Sequence, residues 1–377
     1  MPKESKRARI RRALFHRAPA GSSPGTVLPP LYAQPTHIHC IAYDEEHVWE
    51  AETTALRDIQ ALKERTSLIW INVVGLADIE VIQDLCRWLG IHRLTLEDIF
   101  NQNERPKVEF YERYTYLSLH RPHRDGKKDS EMLSLILGHG FVLSIQGSAI
   151  EALDSIKTRI QKKVGQIRFK NEEYLAYAII DAIIDLYFPV AEHYAELLDQ
   201  AEELIIQAQK PNVVLDIYDM RSRINAHHRL LWSHKELINQ LLRDPESPMN
   251  EDACVYLRDC FDHAIQIIDF LDSLRETSKT LIELHLSLQA HRSNEIIKVL
   301  TIVTSTFIPM TFISGLYGMN FNRDSKWNMP ELDWTYGYPF ALFLMFCTAA
   351  SLWLYFYRQK WFAAVPTTRF DLSKDND

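Results

Sequence analysis

Two stretches of twenty residues, each without a charged side chain, lie towards the C-terminal end of this chain: 299–318 (VLTIVTSTFIPMTFISGLYG) and 338–357 (YPFALFLMFCTAASLWLYFY). As helices rising 1.5 Å per residue, both reach across the roughly 30 Å of hydrocarbon in a bilayer. The 377 residues as a whole are 46% hydrophobic and 24% charged, an average that would suit a soluble protein. Two such spans in succession do not suit one, so both are read as membrane-spanning helices, 299–318 and 338–357.

The flanking charges set the orientation. Lys298 precedes the first span, and Arg358 and Lys360 follow the second. The connecting loop, 319–337, carries Arg323 and Lys326 against Asp324, Glu331 and Asp333, a net −1. Basic residues favour the cytoplasmic side, so the large N-terminal region and the tail at 358–377 are both expected there. No apolar leader opens the sequence, so no cleaved signal peptide is expected.

The five cysteines (Cys40, Cys86, Cys254, Cys260, Cys347) form no CxxC pair. This fits a reducing compartment and argues against a disulfide frame or a structural zinc site. The net charge of −8 is uneven: residues 1–20 hold seven basic side chains and one acidic, a net +6 that leaves −14 elsewhere. The arm KRARIRRALFHR could touch nucleic acid or anionic lipid. Because Gly, Ser and Pro follow it, residues 1–35 are read as a disordered tail, and no nucleic-acid partner is expected.

Residues 36–170 read as an α+β cytoplasmic domain, a mixed sheet flanked by helices. HIHCIAY, SLIWINVVG, VEFYERYTYLSL, MLSLILG and FVLSIQG have the β-branched and aromatic content of strands. ALRDIQALKER and DIEVIQDLCRWLG space their apolar residues as helices do. His37 and His39 share one face of a strand and Cys40 the other, which explains the trio better than metal binding. His120 and His123 flank Pro122 and are read as loop residues. The texture then turns helical: a long hairpin over 171–250, with a break at Pro211 and Asn212, and a turn at Pro245 and Pro248. From Glu251 no glycine intervenes until Gly315, and Pro309 is the one proline before Leu316. A helix of that length spans about 100 Å. It would run as a stalk (251–298) directly into the first membrane span.

No P-loop, nucleotide-binding glycine pattern, nucleophile elbow or HExxH is present, so the chain is not read as an enzyme, and no organic cofactor is expected. Without an ATP site, cation entry would draw on the membrane potential, about 4.6 kcal/mol for a divalent ion crossing 100 mV.

Directly after the first span comes Tyr317-Gly318-Met319-Asn320-Phe321. A neutral amide where the helix ends suits Mg²⁺, which dehydrates reluctantly and is best held through its waters. The plainer reading is a helix end capped by Gly318, which accounts for the glycine but not for the pentad. With Met329-Pro330-Glu331-Leu332 and then Trp334, Gly337, Tyr338 and Pro339, the segment resembles the CorA-type magnesium/cobalt channels. LTLEDIFNQNERPKVEFYERY (94–114) and RDCFDHAIQIIDFLDSLRE (258–276) resemble the family's cytoplasmic and stalk motifs, so the likeness runs from about residue 35 to Phe362.

That resemblance implies a funnel-shaped homopentamer in the plasma (bacterial inner) membrane, with the first membrane helices around a pore. It implies transport of Mg²⁺, also Co²⁺ and Ni²⁺, and a selectivity filter at Tyr317, Gly318, Met319 and Asn320, with Glu331 in the loop. Asn294, Ile297, Thr301, Thr304, Ile308, Thr311 and Gly315 recur every three or four residues and would line the lumen. Ile297, Leu300 and Ile308 would close it by dewetting. Threonine and glycine on a membrane helix also permit close packing, and for Gly315 both readings stand. The family further implies regulatory Mg²⁺ between cytoplasmic domains, at positions matching Asp98 and Asp259. The acidic helix EHYAELLDQAEEL (192–204) resembles the family's peripheral helices, or is simply a solvated face. Two departures stand out: a longer loop at 322–328 (NRDSKWN) and fewer basic residues after the second span. The alternatives are a ZntB-type zinc carrier, whose relatives usually vary the Met-Asn pair, and a non-conducting membrane-anchored metal sensor.

Overall fold

The computed structural model describes residues 27, 30, 33–102, 104–123, 130–207, 212–320 and 327–361. Most of the expected basic tail lies outside these residues, as do 321–326 of the loop and 362–377. The chain divides into two units, Met1–Ile282 and Glu283–Asp377.

The first unit is built on a seven-stranded sheet in the order β2-β1-β3-β7-β6-β5-β4. Its strands are β1 (His37–Tyr43), β2 (Val48–Glu52), β3 (Leu68–Val74), β4 (Lys107–Tyr111), β5 (Tyr114–Pro122), β6 (Ser130–Gly138) and β7 (Phe141–Gln146). β3 and β7 are parallel and every other pair is antiparallel, so the sheet is mixed. VEFYERYTYLSL, read as one strand, is a hairpin: Glu112 and Arg113 turn the chain so that Tyr111 pairs with Tyr114. The aromatic content of the segment is equally high on both arms, and composition alone does not reveal the reversal.

Alternation along β3 divides the core into two layers. Ile69, Ile71 and Val73 pack with α1 (Leu56–Lys63), α2 (Ile79–Trp88) and α3 (Arg93–Phe100) through Ile59, Ile82, Leu85, Ile99 and Phe100. On the opposite face Trp70 donates to Ser144 Oγ (2.9 Å), which donates to Asn72 Oδ1 (2.8 Å). After α4 (Ala152–Gln161), α5 (Glu172–Asp185) lies against β5, β6 and β7.

The first arm of the expected hairpin is two helices, α5 and α6 (Tyr187–Ile206), meeting at Leu186. Pro189 is the cause: its nitrogen has no hydrogen to offer the Asp185 carbonyl, so the helix restarts. The return arm is α7 (Val213–Arg243), followed by α8 (Glu251–Tyr317), 67 residues with Pro309 inside it, and α9 (Gly337–Arg358). Among the described residues, three segments are long and apolar enough to cross a membrane. The apolar window in 172–206 is 67% buried within its own unit, whereas those of α8 and α9 are 6% and 11% buried. Apolarity that is already buried in a core needs no bilayer, so of these three α8 and α9 are left with surfaces that hydrocarbon would satisfy.

His120 is a correction to the loop assignment: it lies in β5 and is buried. Its backbone N–H donates to His234 Nε2 on α7 (2.9 Å), and its carbonyl accepts from the Tyr187 hydroxyl (2.8 Å). A proton on His234 Nε2 would set N–H against N–H. Burial pushes the His234 imidazole down to about 3, and burial lowers His120 as well. Because the folded value lies below the ordinary one, this stability is complete above about pH 6.5 and is lost as the pH falls towards 3. Thermal unfolding followed from pH 7 to pH 4 is expected to show a falling midpoint. The fall should be smaller in His234→Gln, which keeps an acceptor and cannot titrate.

Candidate ion pathway and cation sites

Along α8 the buried positions are Ala253, Leu257, Cys260, Ala264, Ile267, Ile268, Leu271, Leu274, Ser278, Leu281 and Ile282, the three-and-four spacing of a helix packed on one side. The stripe stops at Ile282. From Val299 the surface is apolar and exposed, with Val303, Phe307, Ile308 and Phe312 between 49% and 69% accessible. Ile297 and Leu300 are exposed too.

The threonines of this stretch share one habit. Thr301 donates to the Ile297 carbonyl (2.7 Å), Thr311 to that of Phe307 (2.8 Å), and Thr304 to that of Leu300. A hydroxyl whose hydrogen is spent on its own helix faces outward as an acceptor. The waters around a cation point their hydrogens away from the metal and therefore need acceptors. The habit also removes the cost of an unpaired hydroxyl in hydrocarbon, so it suits a lumen and a packed interface alike.

At the end of α8 the chain tightens. Gly318 N donates to the carbonyls of Ser314 (3.0 Å) and Gly315 (3.2 Å), and Met319 N donates to that of Leu316 (3.2 Å). Gly318 is not among the glycines with positive φ, so the left-handed cap expected of it is not what ends the helix. Asn320 is the first residue beyond this turn, and it is exposed. Of the lengthened loop, Trp327 and Asn328 are described. Met329 then turns left-handed (φ 51°), and Pro330–Asp333 form a short 3-10 helix. The Tyr317 hydroxyl donates to Glu331 Oε1 (3.3 Å).

Asp98 sits on α3 beside the β4–β5 hairpin. Its Oδ2 lies 2.7 Å from Lys107 Nζ, which is also 2.7 Å from Glu109 and 3.9 Å from Glu104. Burial raises the Asp98 carboxyl above its ordinary value, against the pull of Lys107. Burial opposes the Lys107 charge, yet the bonds from Asp98 and Glu109 prevail and raise its value. Three carboxylates thus surround one ammonium, and a shallow cleft lined by Leu94, Glu97, Asp98, Glu109, Phe110 and Tyr111 opens beside them.

Asp259 is an exposed side chain on α8, 3.9 Å from His263. Among the described residues Asp98 and Asp259 share no ion-pair partner. What the fold does assemble around His263 is a cluster that motif reading missed. Asp181 and Asp185, one turn apart on α5, and His263 present ligand atoms all within 4.8 Å of one another. Burial, then the charge of Asp185, pushes the Asp181 carboxyl up to about 6. The sequence signal was two aspartates four apart in the otherwise apolar IIDAIID, facing another Asp-to-His pair four apart at 259 and 263.

A family profile described as "CorA-like Mg2+ transporter protein" matches residues 65–358. The chain belongs to the CorA family. The cobalt/magnesium transport protein CorA of Thermotoga maritima is 34% identical over 348 residues, 91% of this chain and 98% of that protein. A solved structure of the CorA magnesium transporter from Methanocaldococcus jannaschii superposes with a TM-score of 0.73 at 21% identity, covering 86% of this chain and 98% of that one. The cytoplasmic domain of ZntB from Vibrio parahaemolyticus reaches 0.56 at 12% identity, over 68% of this chain and all of that one. At these identities the two structures speak for the fold alone.

Proposed function

We propose that this chain is one protomer of a homopentameric membrane channel that admits hydrated Mg²⁺, and also Co²⁺ and Ni²⁺, down the membrane potential. The N-terminal unit and the C-terminal tail face the cytoplasm, and the family's usual setting makes the membrane a bacterial inner membrane. The observation that carries the reading is the intact Tyr317-Gly318-Met319-Asn320 at the end of the 67-residue helix α8, in a chain of this family.

In this reading five copies of α8 surround a water-filled lumen. Asn294, Thr301, Thr304, Thr311 and Gly315 face it, and Ile297, Leu300 and Ile308 supply constrictions that close when water leaves them. Tyr317, Gly318, Met319 and Asn320 form the collar that selects the ion through its waters. Glu331 adds negative charge at the entrance.

Closure is assigned to Mg²⁺ held between cytoplasmic domains at Asp98 and Asp259. The donor set fits a hard divalent ion, which takes oxygen ligands. Beside Asp259, burial first and the charge of Asp185 second raise the Asp181 carboxyl, a cost that a bound cation would relieve. Asp98 has its charge met by Lys107 and would need that lysine to give way.

Reconstituted into liposomes with an inside-negative potential, the protein is expected to take up Mg²⁺ without ATP or a proton gradient. Uptake selective for Zn²⁺ and driven by protons would favour the zinc-carrier alternative. Metal binding with no flux of any ion would favour a sensor.

A further inference from the structure

Between the two membrane helices, one carboxylate is fixed from two directions. Glu331 lies in the 3-10 turn Pro330–Asp333, and its carbonyl accepts from Trp334 N (3.3 Å). That carbonyl lies only 2.1 Å from where a Cβ on Gly337 would be, so the turn seats against the first residue of α9 only because position 337 has no side chain. Gly337 N donates in return to the Trp334 carbonyl (3.0 Å), and the Trp334 ring meets Phe340 edge-on at 6.1 Å. The backbone of Glu331 is thus tied to α9, while its carboxylate accepts from the hydroxyl of Tyr317, the last residue of α8 (3.3 Å).

We infer that Tyr317 and Gly337 are positioning residues that hold the Glu331 carboxylate in a fixed place beside the collar. This inference rests on the channel reading above. The chemistry of the partner is the reason for the assignment. A lysine or arginine would orient the carboxylate and cancel its charge, as Lys107 does for Asp98. A phenol orients it and leaves the charge in place. No cationic side chain among the described residues pairs with Glu331. One oxygen takes the phenolic hydrogen, and the other has the geometry to accept from the outward-pointing hydrogens of a hydrated cation's waters. The Tyr317 hydroxyl therefore serves the collar by holding Glu331.

The test compares Tyr317→Phe, Glu331→Gln and the double variant in liposomes, reading Mg²⁺ influx against external Mg²⁺. Each single variant is expected to raise the half-saturating concentration by about two- to tenfold, the range that one hydrogen bond of this kind converts to. The change in maximal influx should be the smaller of the two. The double variant should be no worse than Glu331→Gln alone. Hydrogen exchange of the full protein in nanodiscs gives a reading independent of transport: amides 330–337 should exchange faster in Tyr317→Phe. Wild-type protein that passes no Mg²⁺ would remove the channel reading and this role with it, while the exchange result would still show whether the tie exists. Wild-type flux with an unshifted Tyr317→Phe curve, or with additive effects in the double variant, would overturn the positioning role alone.

Discussion

Asn320→Ala is expected to bring Mg²⁺ influx into proteoliposomes down to the level of empty vesicles. Asn320 is the first residue past the turn in which Gly318 and Met319 donate back to Ser314, Gly315 and Leu316. Those amides are committed to the helix end, which leaves the Asn320 side chain as the group free to meet an ion there. A carboxamide offers an oxygen to the hydrogens of coordinated water, carries no net charge, and so can hold a hydrated divalent ion without trapping it. Alanine removes that group while leaving α8 and its apolar surface intact. Asn320→Asp sharpens the test, since a ring of carboxylates should bind the ion more tightly and slow its release. Alanine channels that conduct Mg²⁺ at the wild-type rate would take selection away from this collar.

Asp259→Lys is expected to abolish closure at millimolar internal Mg²⁺. The substitution deletes a ligand and sets a positive charge beside Asp181, Asp185 and His263, where a divalent ion would be repelled. Two unit charges about 4 Å apart interact by roughly 4 kcal/mol at the effective dielectric of a protein surface. The exposure of Asp259 reduces that, but about 1.4 kcal/mol already amounts to tenfold in affinity. The internal Mg²⁺ needed for half-closure should therefore rise by more than about tenfold in flux measurements at fixed external Mg²⁺. His263→Ala tests the same cluster without a new charge and should shift half-closure in the same direction by less. Unchanged inhibition in both variants would remove this part of the stalk from the gating scheme.

The two predictions differ in how much of their ground was visible before the fold. Asn320 stands in a contiguous motif at the end of an uncharged span, and proximity in sequence is enough to place it. Asp259 was visible only through its resemblance to a stalk motif, and its neighbours were not visible at all. Asp181 and His263 are brought together by the packing of α5 on α8. The pairing of Asp98 with Lys107 likewise needs the β4–β5 hairpin beside α3, and VEFYERYTYLSL read as a single strand hides that hairpin. The burial of His120 depends on His234 and Tyr187, residues from two helices that follow the sheet.

By itself the sequence determined where the two long charge-free stretches lie, where the long helix runs and what kind of group stands at its end. Hydrocarbon admits no charge and requires every backbone group to be satisfied within the helix, so length and the absence of charge decide a span without reference to any other part of the chain. Tertiary structure alone decided how deeply the apolar part of 172–206 is buried, that the helix divides at Leu186, and which carboxylates sit together. Burial and the distance between charges depend on what packs against a residue, and local composition does not record its neighbours.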